Sequence, residues 1–414
     1  MEVVFTRCAG LDVHKKVVVG TVIVTSPSRE VFRETRSFGT MTADLLQLSH
    51  WLAGHGVTHV AMESTGEYWK PAYNILEHNF EVLLVNARHV AAVPGRKTDV
   101  GDSEWLADLL RHGLLKASFV PPLHQRDLRD LTRFRTTFVR QRAVLVNRVQ
   151  KLLEGANIKL SSVATDIMGV SGRLILSALL EGKVGPEEMA ELSKGRLRNK
   201  QEELVTALQG SMRPHHRFIL CQLLSQIDGL DATIAHFDEE VAAHCAPLEQ
   251  HIQRLDGIPG VGRVVAEVIV AEIGTDMSRF TDEHHLSSWA GAASGNKISA
   301  GKRYSGRRRK GNRMLMSALT EAAQAAARTK NTYLSAQYHH LARRIGKKKA
   351  IGAVAHSILV IAYHLIKNQQ DHRDLGGNYF DQRSAETTAH SLVSRLKHLG
   401  YDVQLTKATE KLAA

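Results

Sequence analysis

Near residue 115 the rhythm of the chain changes, and no single secondary-structure period covers both sides. Before it, strand-like and helix-like segments alternate. "VVFTRCAGLD" (3–12) and "KVVVGTVIV" (16–24) are rich in β-branched residues and are separated by a short polar turn. "REVFRETRSFG" (29–39) is a third extended stretch. "MTADLLQLSHWLAG" (41–54) has helical periodicity with Thr42 as a candidate cap. "VTHVAMES" (57–64) is a fourth strand, and "GEYWKPAYNILEHNF" (66–80) a helix with Pro71 in its first turn. "EVLLVN" (81–86) is a fifth strand, followed by a helical stretch around Trp105. The order β-β-β-α-β-α-β-α begins with hairpins and ends with crossovers, which predicts a mixed sheet covered by helices.

That order is the one of an α/β RNase H-like (RuvC-like) fold. A Rossmann start is disfavoured, because no GxGxxG follows the first strand. Residues 123–250 read as almost wholly helical. In "LRDLTRFRTTFVRQRAVLVNRVQKLLE" (128–154) apolar residues recur at three, four and seven positions, while the other face carries six arginines and Lys151. "LLSQIDGLDATIAHFDEEVAAH" (223–244) is a second such helix able to pair with the first. "DGIPGVGRVVAEVIVAEIG" (256–274) places a Pro-Gly-x-Gly turn between two helices, resembling a helix-hairpin-helix. Gly260 and Gly262 there are candidates to aim backbone N–H groups at a phosphate; an ordinary glycine-rich turn is the plain alternative. The division expected is 1–118, the α/β domain; 119–250, a helical coiled-coil and dimerisation region; 251–370, a mainly helical C-terminal domain; and 371–414, a peripheral tail.

Lys and Arg number 54 against 42 Asp and Glu, a formal charge of +12 that favours an acidic partner such as nucleic acid. The excess is concentrated. "SAGKRYSGRRRKGNR" (299–313) holds Lys302, Arg303, Arg307, Arg308, Arg309, Lys310 and Arg313 with few apolar residues, so a loop ordered by polyanion is expected. Arg343, Arg344, Lys347, Lys348 and Lys349 form a second cluster. Cys8, Cys221 and Cys245 match neither CxxC nor a zinc spacing, and read as reduced cytoplasmic thiols. Lys15 and Lys16 interrupt the N-terminal apolar stretch, against a signal peptide. The longest apolar run, 351–366, is short for a membrane span and reads as a buried helix, so no membrane partner is expected.

Asp99 and Asp102, just behind Arg96 and Lys97, would be neighbours on one helix face and would repel without a cation between them. Asp12 ends the first strand and Glu63 the fourth. In a fold of this order the four carboxylates converge at one sheet edge and would hold one or two hard divalent cations, Mg²⁺ foremost and Mn²⁺ as a substitute. Two ions about 4 Å apart stabilise both the attacking and the leaving oxygen of an in-line phosphoryl displacement. Each acid has a dull alternative: Asp12 a turn acid, Glu63 a surface acid, Asp99 a helix cap with Asp102 at N3. Glu67, Glu104 and Asp108 rank lower, lying further into helices.

"GLDVHK", "AMESTGEYW", "RKTDVGDSEWLADLL", "LDGIPGVGRVVAEVIVAEIG" and "SAGKRYSGRRRKGNRMLMSAL" occur in the order found in DEDD-type insertion-sequence transposases, and this resemblance spans residues 5–368. It implies that Asp12, Glu63, Asp99 and Asp102 are the metal ligands. It also implies a catalytic serine in the C-terminal domain, by spacing Ser299. Here the sequence departs from the family, with Gly291-Ala292-Ala293-Ser294 in place of Gly-Leu-x-Pro, which leaves Ser294 and Ser305 as rivals. The resemblance further implies donor and target DNA as substrates, a structured noncoding guide (bridge) RNA, a homodimer joined through the middle helices and a tetramer on DNA. The arginine-rich helix and the N-terminal domain are expected to grip that RNA by its backbone.

A serine hydroxyl needs activation to attack a phosphodiester, and Lys302 and Arg303 stand close in sequence to neutralise the phosphoryl oxygens. The function expected is a site-specific DNA transposase or recombinase. Two rivals remain: a metal-dependent, structure-specific (Holliday-junction-type) endonuclease using water, and a non-catalytic nucleic-acid-binding protein.

Overall fold

Strand β1 (Arg7–Val13) pairs antiparallel with β2 (Val17–Thr25), and β2 with β3 (Val31–Gly39). On its other side β1 runs parallel to β4 (His59–Glu63), which runs parallel to β5 (Glu81–Val85). The sheet order is therefore β3-β2-β1-β4-β5, the mixed sheet that the alternation predicts. The structure, a computed structural model, describes residues 2–64, 66–86, 101–293, 297–305, 310–383 and 385–405. By contacts it divides into two units, Met1–Pro121 and Pro122–Ala414.

In the first unit, side-chain alternation divides β1 between two cores. Ala9, Leu11 and Val13 face a core shared with Leu45, Leu48 and Leu52 of α1 (Thr42–Gly54) and with Ala72 and Leu76 of α2 (Trp69–Leu76). Cys8 faces the opposite way, against Ala107 and Leu110 of α3 (Asp102–Arg111). Gly10 shares that second face. A Cβ there would lie 2.2 Å from the Ser103 carbonyl and 2.4 Å from the Ala107 nitrogen, so glycine is what lets α3 sit directly on β1. The cap of α1 departs from expectation: Met41 occupies the N-cap and Thr42 is the first helical residue.

The second unit is built on two long helices, α4 (Leu123–Gly155) and α9 (Pro214–Cys245), which pair as their apolar stripes predict. Phe138 and Phe237 meet between them with ring centroids 5.2 Å apart and tilted by 56°, and Arg142 and Arg135 pair with Asp231 and Asp238. Helices α5 (Leu160–Val163), α6 (Val170–Glu181), α7 (Pro186–Glu191) and α8 (Gln201–Ala207) close one core around Val149, Leu153, Ile175 and Leu220. Then follow α10 (Glu249–Asp256), α11 (Arg263–Ile273) and α12 (Glu283–Ala290), the strands β6 (Lys297–Ser299) and β7 (Lys302–Ser305), and α13 (Arg313–Ala326), α14 (Tyr333–Ile345) and α15 (Lys347–Asn368).

Two helical stretches, Pro214–Asp256 and Lys347–Asn368, are long and apolar enough to cross a membrane by length and composition. The second, α15, buries Val354, Ile358, Leu359 and Tyr363 within its own unit, as its reading as a buried helix predicts. The stretch beyond it carries α16 (Tyr379–Arg383) and α17 (Ala385–His398). Part of it is anchored: the Phe380 ring stacks between His340, at 5.0 Å, and Tyr333, at 5.5 Å.

Candidate active site

Asp12 follows Leu11 on β1, and Glu63 follows Met62 on β4; Leu11 and Met62 are paired in parallel register. The two acids therefore end neighbouring strands at the same edge of the sheet. Alternation also assigns them one face. Asp12 shares the parity of Cys8 and Gly10, and Glu63 that of Ala61, which packs in the α3-side core with Cys8. Helix α3 runs antiparallel to β1. Ser103 lies over Gly10, with its hydroxyl 2.9 Å from that of Thr21, while the Arg111 carbonyl at the other end accepts from the Val4 and Phe5 amides. Asp102, the first residue of α3, thus starts the helix at the Asp12 end of β1. Gly101 occupies the cap, so Asp102 stands at N1, and the reading of Asp102 as an N3 capping partner does not apply.

Asp12 is 26% exposed, and its Oδ2 lies 3.0 Å from His14 Nε2. Glu104, by contrast, is paired with Arg33 at 2.7 Å, and Asp108 lies 3.6 Å from the same guanidinium. Glu67 pairs with Lys70 at 2.5 Å. These three are paired with the protein's own cations. Among the described residues, no three His, Cys, Asp or Glu side chains are gathered closely enough to hold a metal ion. Asp99, Arg96 and Lys97 lie outside the described residues.

The first part of the basic segment, residues 299–305, is not the irregular loop expected, whereas 310–312 carry no regular secondary structure. Residues 297–305 form a hairpin in which Ser299 pairs directly with Lys302, and Ile298 with Arg303. Its two-residue turn, Ala300-Gly301, has φ of 48° and 72°, the doubly positive pattern that matches the twist of tight hairpins. Ser305 pairs with Lys297. Ser294 and Arg307, Arg308 and Arg309 lie outside the described residues; Lys302 and Lys310 are exposed.

The base of this hairpin is closely built. Gly291 ends α12 in the left-handed region, φ 76°. A Cβ on Gly311 would come within 2.3 Å of the Ala290–Gly291 backbone, so the two stalks touch. Asn312 caps α13, its Oδ1 accepting from the Met314 and Leu315 amides at 3.1 Å. Its Nδ2 donates to Glu272 Oε2 at 2.6 Å. Glu272 is fully buried and also accepts from Arg133 at 2.7 and 2.8 Å, with Arg129 Nε 3.5 Å away. Arg129 donates to the Ala271 and Glu272 carbonyls at the end of α11. Burial pulls the Arg129 guanidinium down to about 10, with Glu272 opposing the shift, so it stays charged at neutral pH. Glu272 and Asn312 were not singled out from sequence. The available signal was a glutamate inside the apolar run "VIVAEIG".

Two expectations change weight. Gly260, φ 87°, would place a Cβ 2.4 Å from the Ala322 carbonyl and the Ala326 nitrogen, so packing against α13 accounts for its glycine. Gly262 has open space around it and caps α11. On the arginine-rich helix, five of the six arginines have partners within the second unit: Arg129 and Arg133 with Glu272, Arg135 with Asp238, Arg142 with Asp231, and Arg140 with Ser317. To that extent this face serves the unit's own packing and is not free for phosphate.

Comparison with known proteins agrees with both halves. Residues 9–158 match a family model described as a DEDD transposase of IS110 type, and residues 252–339 match the transposase IS116/IS110/IS902 family. The chain is 24% identical over 323 residues to the transposase for insertion sequence element IS1111A of Coxiella burnetii, covering 76% of this chain and 79% of that protein. It is 29% identical over 247 residues to a mini-circle IS117 protein of Streptomyces coelicolor, covering 55% of this chain and 60% of that one. It is 25% identical over 243 residues to an IS116 insertion-element protein of Streptomyces clavuligerus, covering 51% and 59%. With acids presented at the strand edge of its first unit and a basic hairpin in its second, the chain belongs to the IS110/IS116 family of DEDD-type insertion-sequence transposases, DNA-acting enzymes.

Proposed function

We propose that the chain is a site-specific recombinase that cuts and rejoins donor and target DNA through a serine. Its first unit acts as an RNase H-like domain whose acids hold the metal. What supports this reading is that Asp12 and Glu63 end neighbouring parallel strands and Asp102 starts α3 in the first unit, while in the second unit a hairpin pairs Ser299 with Lys302. An all-oxygen donor set of Asp12, Glu63, Asp99 and Asp102 suits a hard divalent cation, Mg²⁺ or Mn²⁺. When bound, such an ion supplies charge neutralisation at the reacting phosphate.

The chain's own groups do the rest. The Ser299 hydroxyl attacks phosphorus. A bond forms between Oγ and phosphorus, and the bond to the 3′ oxygen breaks. The serine proton is lost and the leaving oxygen is protonated to a free 3′ hydroxyl. Lys302 and Arg303 offset the phosphoryl charge. Because the phosphoserine conserves the ester, reversal onto another 3′ end reseals DNA without ATP.

The test is a denaturation-resistant protein–DNA band with end-labelled DNA. It should form with the parent and with Ser305→Ala and Ser294→Ala, and vanish with Ser299→Ala. Loss in Ser305→Ala alone would move the nucleophile. Cleavage by Ser299→Ala at the parent rate, with no band from any variant, would favour the water-using endonuclease.

The guide RNA, the dimer and the DNA-bound tetramer are carried by the family resemblance. With the arginines of α4 largely committed internally, the RNA contacts are assigned mainly to the first unit. Binding to a structured RNA should weaken steeply with added salt. Purified chain that retargets DNA without RNA would overturn the guide reading.

A further inference from the structure

We infer that Glu272 is a positioning residue: through Asn312 it sets the direction in which the β6–β7 hairpin leaves its base, and so where the hairpin serine is delivered. The inference rests on the reading of that hairpin as the carrier of the nucleophile.

Glu272 sits in the last turn of α11, where the helix dipole disfavours an anion, and it is fully buried, which disfavours any charge. Two guanidiniums from α4, 139 and 143 residues earlier in the chain, offset both penalties. A buried ion pair is at best comparable in stability to apolar packing of the same volume, so stability alone does not account for one. What it supplies is a single geometry.

Here that geometry is transmitted by one side chain. Asn312 uses its oxygen to cap α13 and its nitrogen to bind Glu272. The amide is therefore held at both ends, which fixes the residue following Gly311. Gly311 in turn abuts Ala290–Gly291, where the other stalk begins. Gly291 and Gly311 are thus held against each other, and Gly311 is followed by a residue locked to α4 through Glu272. Without that lock the cap can rotate, and the position of Gly311, from which the hairpin segment departs, is no longer unique. Glu267 lies on the same helix, is similarly buried, and pairs with Arg263 at 3.0 Å, away from the hairpin. It provides the control for a buried carboxylate as such.

The experiment uses the full-length protein and four variants: Glu272→Gln, Asn312→Asp, the double variant Glu272→Gln/Asn312→Asp, and Glu267→Gln. Glu272→Gln removes the charge that orients both arginines, and Asn312→Asp sets two carboxylates against each other. The double variant restores one amide–carboxylate hydrogen bond with its polarity reversed, beside the same arginines, and Asp remains a good cap. Amide hydrogen exchange at 297–305 reads hairpin order directly, without reference to activity. Adduct formation at saturating DNA, and the Kd for DNA, read delivery.

Each single variant at 272 or 312 should speed exchange at 297–305 and slow adduct formation by roughly a hundredfold, with Kd within about twofold, as expected for misplacement of a reacting group. The double variant should recover most of both, and Glu267→Gln should change neither. Equal losses in Glu267→Gln and Glu272→Gln would overturn the inference. So would failure of the double variant to recover, or unchanged exchange at 297–305 in Glu272→Gln. If the parent exchanges strands with no adduct at all, the serine reading fails, while hydrogen exchange still decides the role of Glu272.

Discussion

Both units of this transposase give acidic side chains a defined place, and they do so by opposite means. In the first, Asp12 and Glu63 are brought together by strand register: one parallel pairing places both at the same edge and on the same face. In the second, Glu272 meets Arg129, Arg133 and Asn312 only because three helices from distant parts of the chain pack together. The first cluster is partly open, with Asp12 26% exposed; the second is sealed, with Glu272 at 0%. Asp12, at the strand end, is partly exposed and meets a histidine, His14, in an exposed pair. An acid sealed among guanidiniums is already neutralised and can act only by holding geometry.

The contrast can be broken most directly at Asp102. Replacing Asp12, Glu63 or Asp102 by Ala should lower strand cleavage by about a hundred- to a thousandfold and leave DNA binding within twofold. Full recombination by Asp102→Ala, measured on labelled donor and target, would remove that residue from the open cluster. Glu272→Ala should, besides slowing adduct formation, lower stability. It leaves the buried Arg129 guanidinium and the partly exposed Arg133 without their carboxylate, a loss of about 3 kcal/mol in urea unfolding. A stability change below ~1 kcal/mol would mean that water reaches Glu272 and that the sealed description is wrong.

A smaller effect is expected at the contact that carries α3. Gly10→Ala drives a Cβ into the Ser103 and Ala107 backbone and should cost about 1–3 kcal/mol, with cleavage falling because Asp102 moves with its helix. Retained stability and activity would show that α3 can shift without disturbing the edge. The least perturbing test uses the thiols. Burial pushes Cys8 and Cys245 up to about 12 each, whereas Cys221 is exposed. Alkylation of the native chain at pH 8 should therefore modify Cys221 alone. Gly10→Ala should expose Cys8 before Cys245, and Glu272→Ala the reverse; simultaneous exposure in both variants would mean that the two units open together.

Much of the first unit was legible before any coordinates. Strand period, turn residues and β-branched runs predict all five strands and put Asp12 and Glu63 at strand ends, because these patterns are local; the parallel β1–β4 pairing follows from the order of the elements instead. The capping detail was not, since Met41 and Gly101 cap α1 and α3 without side-chain bonds. In the second unit, helical stripes predict α4 and α9 and their pairing. Charge alone misread two features. A run of lysines, arginines and glycines suggested a loop, yet Ala300-Gly301 turns its first part, 299–305, into a hairpin. An arginine face suggested a polyanion, yet five of its six arginines turn to the protein itself.

By itself, then, the amino-acid sequence determined the alternation that builds the sheet, the parity that puts Asp12 and Glu63 on the face of Cys8 and Gly10, and the family to which the chain belongs. Those are local properties, repeated every two or every three to four residues. Only the tertiary structure decided that Glu272 would be neutralised by Arg129 and Arg133, and that Asn312 would tie the hairpin to them. Such a pairing joins residues 139 and 40 positions apart, and the sequence offers many equivalent arginines and asparagines. Which of them meet depends on how the helices pack, and that is settled by the shape of the whole apolar interior rather than by any local pattern.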